Sequence, residues 1–146
     1  MPITMVFKIA KFKIEDIDKI YEIEKESFPK TAYSKETLIR YAFGLPDTFI
    51  VIGDSKETAG YLIFDKTGHI HSAAIKPKYR KMGLGARLFM YAKKSSRQRL
   101  WLEVRSKNAA AIRFYKKMGM KVIKEIPNYY GNDDALIMIL YKEPKS

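Results

Sequence analysis

From about Met5 to Ile14 apolar and polar positions alternate loosely, the period of a strand with one covered face. The period then lengthens. Ile17, Ile20, Tyr21, Ile23 and Phe28 are spaced to share one side of a helix, which predicts an amphipathic helix over 15–28, with Glu15 and Asp16 at its dipole-favoured start and Pro29 at its end. Ser34 supplies the N-cap of a second helix reaching about Phe43. After the turn Gly44-Leu45-Pro46-Asp47, strands over 48–52 and 59–64 flank a polar loop, and a strand over 69–75 is closed by Pro77. Helix and strand then take turns. Leu84, Leu88, Tyr91 and Ala92 share one helical face, and Leu100–Val104 is a short, nearly continuous apolar run that predicts a strand buried on both faces. A helix opens after Asn108 and stops at Gly119, and strands over 120–126 and 135–141 follow. The order β-α-α-β-β-β-α-β-α-β-β predicts an α/β fold: a mixed central sheet of about seven strands flanked by four helices.

The length of 146 residues suits a single domain spanning 1–146, and 47% hydrophobic with 30% charged residues is a globular balance. No apolar run approaches the roughly 20 residues that cross a bilayer, and the first residues carry no signal-peptide pattern, so a soluble cytoplasmic chain without membrane contact is expected. The absence of cysteine excludes disulfides, thiolate metal sites and a cysteine nucleophile. Charge changes the picture more than composition does. Residues 1–67 hold 10 basic and 11 acidic side chains, whereas residues 68–146 hold 18 and 5, so the net charge of +12 belongs to the second half. Such a field draws in anions: a phosphate-rich cofactor, nucleic acid or a ribosomal surface.

The stretch Ile75-Lys76-Pro77-Lys78-Tyr79-Arg80-Lys81-Met82-Gly83-Leu84-Gly85-Ala86 narrows that choice. It leads from a strand into a helix N-terminus, where unpaired backbone N–H groups accept an anion. Gly83 and Gly85 leave room for a ligand at the backbone, and Arg80, Lys81 and Arg87 add charge at the rim. This is a pyrophosphate cradle that lacks the Gly-Lys-Ser/Thr ending of a P-loop and the third glycine of a dinucleotide-binding turn; an ordinary glycine turn opening a helix is the plainer alternative.

Arg80-x-x-Gly83-x-Gly85 after a strand resembles the signature of the GNAT acetyltransferases. The block Leu100-Trp101-Leu102-Glu103-Val104-Arg105-Ser106-Lys107-Asn108-Ala109-Ala110-Ala111-Ile112-Arg113-Phe114-Tyr115 is similar to the RimI-type protein N-terminal acetyltransferases. Glu26-Ser27-Phe28-Pro29 with Tyr33-Ser34, and Asn128-Tyr129-Tyr130 with Asp134-Ala135-Leu136, extend the likeness over the whole chain. The resemblance implies an acetyl-CoA-dependent N-acetyltransferase whose acceptor is a peptide or protein N-terminus, ribosomal protein included. It implies that the amides of Arg80, Lys81, Met82, Gly83, Leu84, Gly85 and Ala86 hold the CoA pyrophosphate. Ala73, Ala74 and Ile75 pair with the pantetheine arm, and Asn108 and Tyr115 lie near its thiol end. Glu103 is then the base and Tyr115 the acid. Phe28, Pro29 and Tyr33 shape the pocket for the acceptor's first side chain, and Tyr129 and Tyr130 hold its backbone. Two departures stand out: fourteen residues, 86–99, separate the glycine loop from the Leu-Trp-Leu-Glu-Val strand, about one helical turn fewer than in RimI-type chains, and the loop after Tyr130 reaches Asp134 within four residues.

The residues speak for themselves as well. Glu103 is the only acidic residue between Asp65 and Glu125 and it interrupts an apolar strand, where a carboxylate is costly unless paired or useful. Its structural alternative is an ion pair with Arg105 or Lys107. Tyr115, spaced helically with Ala111 and Met118, is alternatively a packing aromatic, as are Tyr129 and Tyr130. His69 and His71 share a strand face. They suit structural histidines, or His69 an auxiliary base acting through water; a metal pair lacks further ligands nearby, and no metal is assigned. Competing functions are a small-amine (polyamine) acetyltransferase, a non-catalytic acetyl-CoA sensor and a nucleic-acid-binding domain. The last is disfavoured because the basic residues are scattered and form no recognition motif.

Overall fold

A computed structural model describes residues 6–142 of the chain. Its elements follow the pattern of apolar positions. Strand β1 is Lys8–Lys11, followed by a short 3-10 turn, Ile14–Asp16, and helices α1 (Ile17–Ser27) and α2 (Lys35–Gly44). Strands β2 (Phe49–Gly53), β3 (Thr58–Phe64) and β4 (Ile70–Ile75) come next, then α3 (Leu84–Ser95), β5 (Arg99–Arg105), α4 (Ala109–Lys117), β6 (Lys121–Ile126) and β7 (Ala135–Tyr141). The expected start of β1 at Met5 lies outside the described residues. Capping works as the sequence suggests: the Ser34 hydroxyl accepts the Thr37 N–H at 3.1 Å, and the Asn108 side chain accepts the Ala111 N–H at 3.2 Å.

Among the described residues there are seven strands and four α-helices, but not in one mixed sheet. The strands form two antiparallel sheets, β1-β2-β3-β4 and β5-β7-β6. Internal contacts divide the chain in the same way, into one unit made of the chain up to Asp65 with His71–Tyr91, and another made of Lys66–Ile70 with the chain from Ala92 onward. The segment expected to be one strand over 69–75 thus changes unit after Ile70. Among the described residues the parallel pairing that a mixed sheet needs is reduced to a single bridge, His69↔Trp101, inside the second unit.

In the first unit β2 carries a run of four buried residues, and its core gathers Ile20 and Ile23 of α1, Leu38 of α2, and Phe49, Val51, Tyr61 and Ile63 of the sheet. Fully burying each such aliphatic or aromatic side chain contributes about 1.5–3 kcal/mol. One polar residue sits among them: Glu24, 2% exposed.

In the second unit the expectation for β5 fails. Leu100, Leu102 and Val104 are buried, but Trp101, Glu103 and Arg105 alternate with them and are only half-buried. The strand covers one face and offers the other, because it pairs with β7 in an antiparallel sheet of three strands and is not sandwiched in a parallel one. The half-covered face is where Glu103 stands.

Candidate active site

The glycine loop belongs wholly to the first unit. Lys81 and Gly83 both take positive φ, 64° and 80°, so the chain turns sharply before α3 begins. A Cβ at Gly83 would meet no protein atom within 4 Å, so the glycine serves backbone conformation and the open space above it. Arg87 is the first residue whose N–H closes a helical bond, to the Gly83 carbonyl at 3.1 Å, which leaves the amides of Leu84, Gly85 and Ala86 without an intrahelical acceptor. Exposed Arg80 and Lys81 flank these amides, and the Arg80 Nε–H donates to the Ile75 carbonyl at 3.1 Å. Arg87, expected to add charge at the rim, is exposed and donates to the Phe7 carbonyl at 2.8 Å. Residues 73–75 lie in β4, an edge strand of its sheet, so one row of their backbone groups is not taken by β3. Free amides at a helix N-terminus, an open glycine and a strand edge fit a phosphate-bearing, amide-bearing ligand such as acetyl-CoA.

Sequence reasoning missed what anchors this loop. Glu57 accepts from Lys76 at 2.9 Å and from the Tyr79 hydroxyl, and pairs with Lys78 at 2.8 Å. Those three hydrogen bonds, from Lys78 first, hold its carboxyl down at about 2. The residues it gathers, 76–79, lead directly into the cradle. The signal lay in the alternation Lys76-Pro-Lys78-Tyr79, but nothing in sequence names the partner across the sheet.

The titratable side chains singled out for chemistry gather in the second unit. His69 Nε2 lies 2.7 Å from Glu103 Oε2, with side chains 17% and 22% exposed. A deprotonated carboxylate has no proton to give, so the hydrogen sits on Nε2 and the lone pair of a neutral imidazole is at Nδ1. Two features fix the ring. The Trp101 indole stacks on it at 3.9 Å and 11°. Gly68, at φ 84°, brings its chain so near β5 that a Cβ would lie 1.9 Å from the Arg99 carbonyl, and its own carbonyl takes the Trp101 N–H at 2.9 Å. The imagined pairing of Glu103 with Arg105 is not what forms: the Arg105 guanidinium lies 4.1 Å over the Tyr130 ring and reaches Asn132. His71, in the first unit, lies 2.9 Å from Asp65, with Tyr41 against its ring.

Tyr115 lies half-buried on α4, its ring edge-on to Phe114, and burial pushes its phenol up to about 12. Asn108 uses its carbonyl oxygen to cap α4, which leaves its NH2 for any ligand. Tyr129 is exposed and Tyr130 half-buried, their rings 4.9 Å apart; burial, then the charge of Glu103, raises the Tyr130 phenol. Their loop is tied down by buried Asp133, which sequence reasoning passed over: it accepts from the Ser106 hydroxyl at 2.7 Å and the Asp134 N–H at 2.8 Å. Phe28 is half-buried and Pro29 exposed after α1; Tyr33 is half-buried against Tyr41.

Comparison with known proteins agrees with these observations. The acetyltransferase (GNAT) family matches residues 17–120, and the chain belongs to that family. It is 32% identical to an uncharacterized N-acetyltransferase of Methanocaldococcus jannaschii over 94% of this chain and 93% of that one. It is 37% identical to a Bacillus subtilis protein provisionally named a ribosomal protein bS18-alanine N-acetyltransferase, over 89% and 92%. Among solved structures, Ard1 from Thermoplasma volcanium superposes with a TM-score of 0.83 at 26% identity, covering 94% of this chain and 99% of that one. The protein is therefore an acetyltransferase with acetyl-CoA as its cosubstrate. No helix among the described residues is long and apolar enough to cross a membrane.

Proposed function

We propose that this chain acts as one catalytic domain that acetylates the α-amine at the N-terminus of a peptide or protein, ribosomal proteins among them. The observation that carries the reading is the His69–Glu103 pair at 2.7 Å on the half-covered face of β5. An α-ammonium titrates near 7.7–8.0 and a lysine ammonium near 10.4, so a carboxylate–imidazole pair suffices to remove the first proton near neutrality and is poorly matched to the second. The name of the Bacillus subtilis relative, with alanine of a ribosomal protein as acceptor, points the same way.

Acetyl-CoA, when bound, supplies a thioester carbonyl that an unprotonated amine can attack. Within this chain, amides 84–86 and the edge of β4 bind and orient it. His69 and Glu103 together accept the amine proton, directly or through water. Tyr115 keeps its proton throughout the neutral range, because its phenol titrates near 12. An ordinary thiol titrates near 8.5, so this phenol stabilises the departing sulfur as a hydrogen-bond donor and does not transfer its proton outright. Phe28, Pro29 and Tyr33 receive the acceptor's first side chain, and Tyr129 and Tyr130 its backbone.

The test compares initial rates, with acetyl-CoA, on three acceptors: a lysine-free peptide with a free N-terminus, an N-acetylated peptide with an internal lysine, and spermidine. The free N-terminus is acetylated fastest, with one acetyl group added by mass. Turnover of spermidine with both peptides inert would replace this reading with a small-amine acetyltransferase.

A further inference from the structure

The apolar stripe of α1 has one interruption. Ile17, Ile20, Tyr21 and Phe28 mark its inner face, and the position between them on that face is Glu24. It is 2% exposed, packed among residues that are otherwise hydrophobic, and no cation among the described residues forms an ion pair with it. Burying a carboxyl group is costly unless its oxygens are satisfied, and an apolar side chain would fill this core more simply. Its oxygens are satisfied by three donors from three elements. The Tyr33 N–H, in the loop between α1 and α2, donates to Oε2 at 3.0 Å. The Tyr61 hydroxyl of β3 donates to Oε1, and the Ser72 hydroxyl of β4 reaches the same oxygen at 3.3 Å. Burial, and then the neighbouring carboxyl, raise the Tyr61 phenol well above its ordinary value, which keeps it a donor.

The geometry points to Glu24 as a positioning residue for the acceptor: it pins the α1–α2 loop, through Tyr33, to the β3–β4 part of its own unit. That loop carries Phe28, Pro29 and Tyr33, and Ser72 immediately precedes the 73–75 edge. The inference rests on the proposed role of residues 28–33 as the pocket for the acceptor's first residue. Freed from Glu24, the loop keeps its composition but loses its fixed position, and misplacement by an ångström is enough to weaken acceptor capture severely.

Three proteins separate this role from plain core packing: wild type, Glu24→Leu and Glu24→Gln. Leu fills the volume and accepts nothing. Gln keeps an acceptor for the Tyr33 N–H and turns an NH2 toward the two hydroxyls, which can accept from it. In Glu24→Leu the acceptor-peptide KM rises about tenfold or more, while kcat stays within about threefold and the acetyl-CoA Kd within about twofold. Hydrogen exchange at the Tyr33 amide quickens, and Glu24→Gln restores both KM and amide protection. A folded Leu variant with wild-type KM, or one that loses kcat at unchanged KM, overturns the inference. Should Glu24→Leu fail to fold, wild type and Glu24→Gln decide: an unprotected Tyr33 amide in wild type, or a Gln variant with KM raised as far as tenfold, overturns it equally. A wild type inert on every peptide would instead overturn the acceptor reading on which the inference rests, whereas with a wild type active on peptides any of the failures above counts against Glu24 alone.

Discussion

The glycine loop of the first unit and the β5 face of the second prepare for chemistry in opposite ways. On the proposed reading the working groups in residues 80–86 are main-chain amides, and side chains matter chiefly by being absent, as at Gly83, or by holding the loop from behind, as Glu57 does. On β5 the backbone is ordinary ladder, fully paired from Arg99↔Tyr141 to Arg105↔Ala135, and on the same proposed reading the working groups are the side chains of Glu103 and His69, with Trp101 stacked on the latter. A backbone site tolerates many side chains but not a new Cβ in its open space. A side-chain site tolerates nothing that changes proton affinity, yet its strand can be rebuilt freely elsewhere. Substitutions in the two regions should therefore fail differently, the first in binding and the second in turnover.

The largest of three effects that sharpen this contrast is at Tyr115. Tyr115→Phe keeps the ring and removes only the hydroxyl, so kcat falls roughly 10²-fold, the scale of a lost donor to developing negative charge, while acetyl-CoA binding and Tm hold. Unchanged kcat would leave Tyr115 a packing residue. Next is Gly83→Asn. Asparagine tolerates positive φ, and no protein atom stands within 4 Å of the new Cβ, so the fold survives; the added side chain enters only the open space proposed for ligand. Acetyl-CoA Kd rises about tenfold, near 1.4 kcal/mol, read as a smaller ligand-induced rise in Tm. An unaltered Kd would place the phosphates elsewhere. The smallest effect is at Glu57, whose carboxyl is held at about 2 against an ordinary 4.5. A depressed folded-state value means the stabilisation is complete above pH 4.5 and is lost as pH falls from there toward 2. The wild-type Tm should drop through that window more steeply than that of Glu57→Gln, with both proteins alike in their dependence at pH 7–8. Parallel acid limbs would show that Glu57 does not anchor residues 76–79.

Much of this arrangement was legible in the sequence. Among the described residues, helical spacing, apolar runs, caps and turn residues together located the seven strands and four α-helices. The glycine turn into α3 was legible because its requirements, two glycines and a helix start, are local. Glu103 drew notice as an isolated acid in an apolar run, and His69 as one of two histidines on a strand. Their meeting was not legible, because it depends on Gly68 bringing residues 66–70 to within reach of β5, a long-range contact with no local pattern. The same holds for Glu24, Glu57 and Asp133, whose partners come from other elements. The division into two sheets was hidden for a related reason: a helical crossover between strands reads as parallel pairing, and only the three-dimensional path shows that the segment leaves that partner after Ile70.

The central claim is that His69 and Glu103 handle the proton as one unit, and a double-mutant cycle on kcat/KM tests it most directly. Glu103→Gln, His69→Ala and the double variant are measured beside wild type with a free-N-terminus peptide, on preparations whose Tm is recorded. Each single change lowers kcat/KM by about 10²- to 10⁴-fold near pH 7, and the double variant loses no more than the worse single one, because a unit already broken cannot be broken again. Raising the pH partly rescues all three, since more of the α-amine is already neutral. Losses that multiply in the double variant, or full activity in a Glu103→Gln protein that has merely lost stability, would contradict the account.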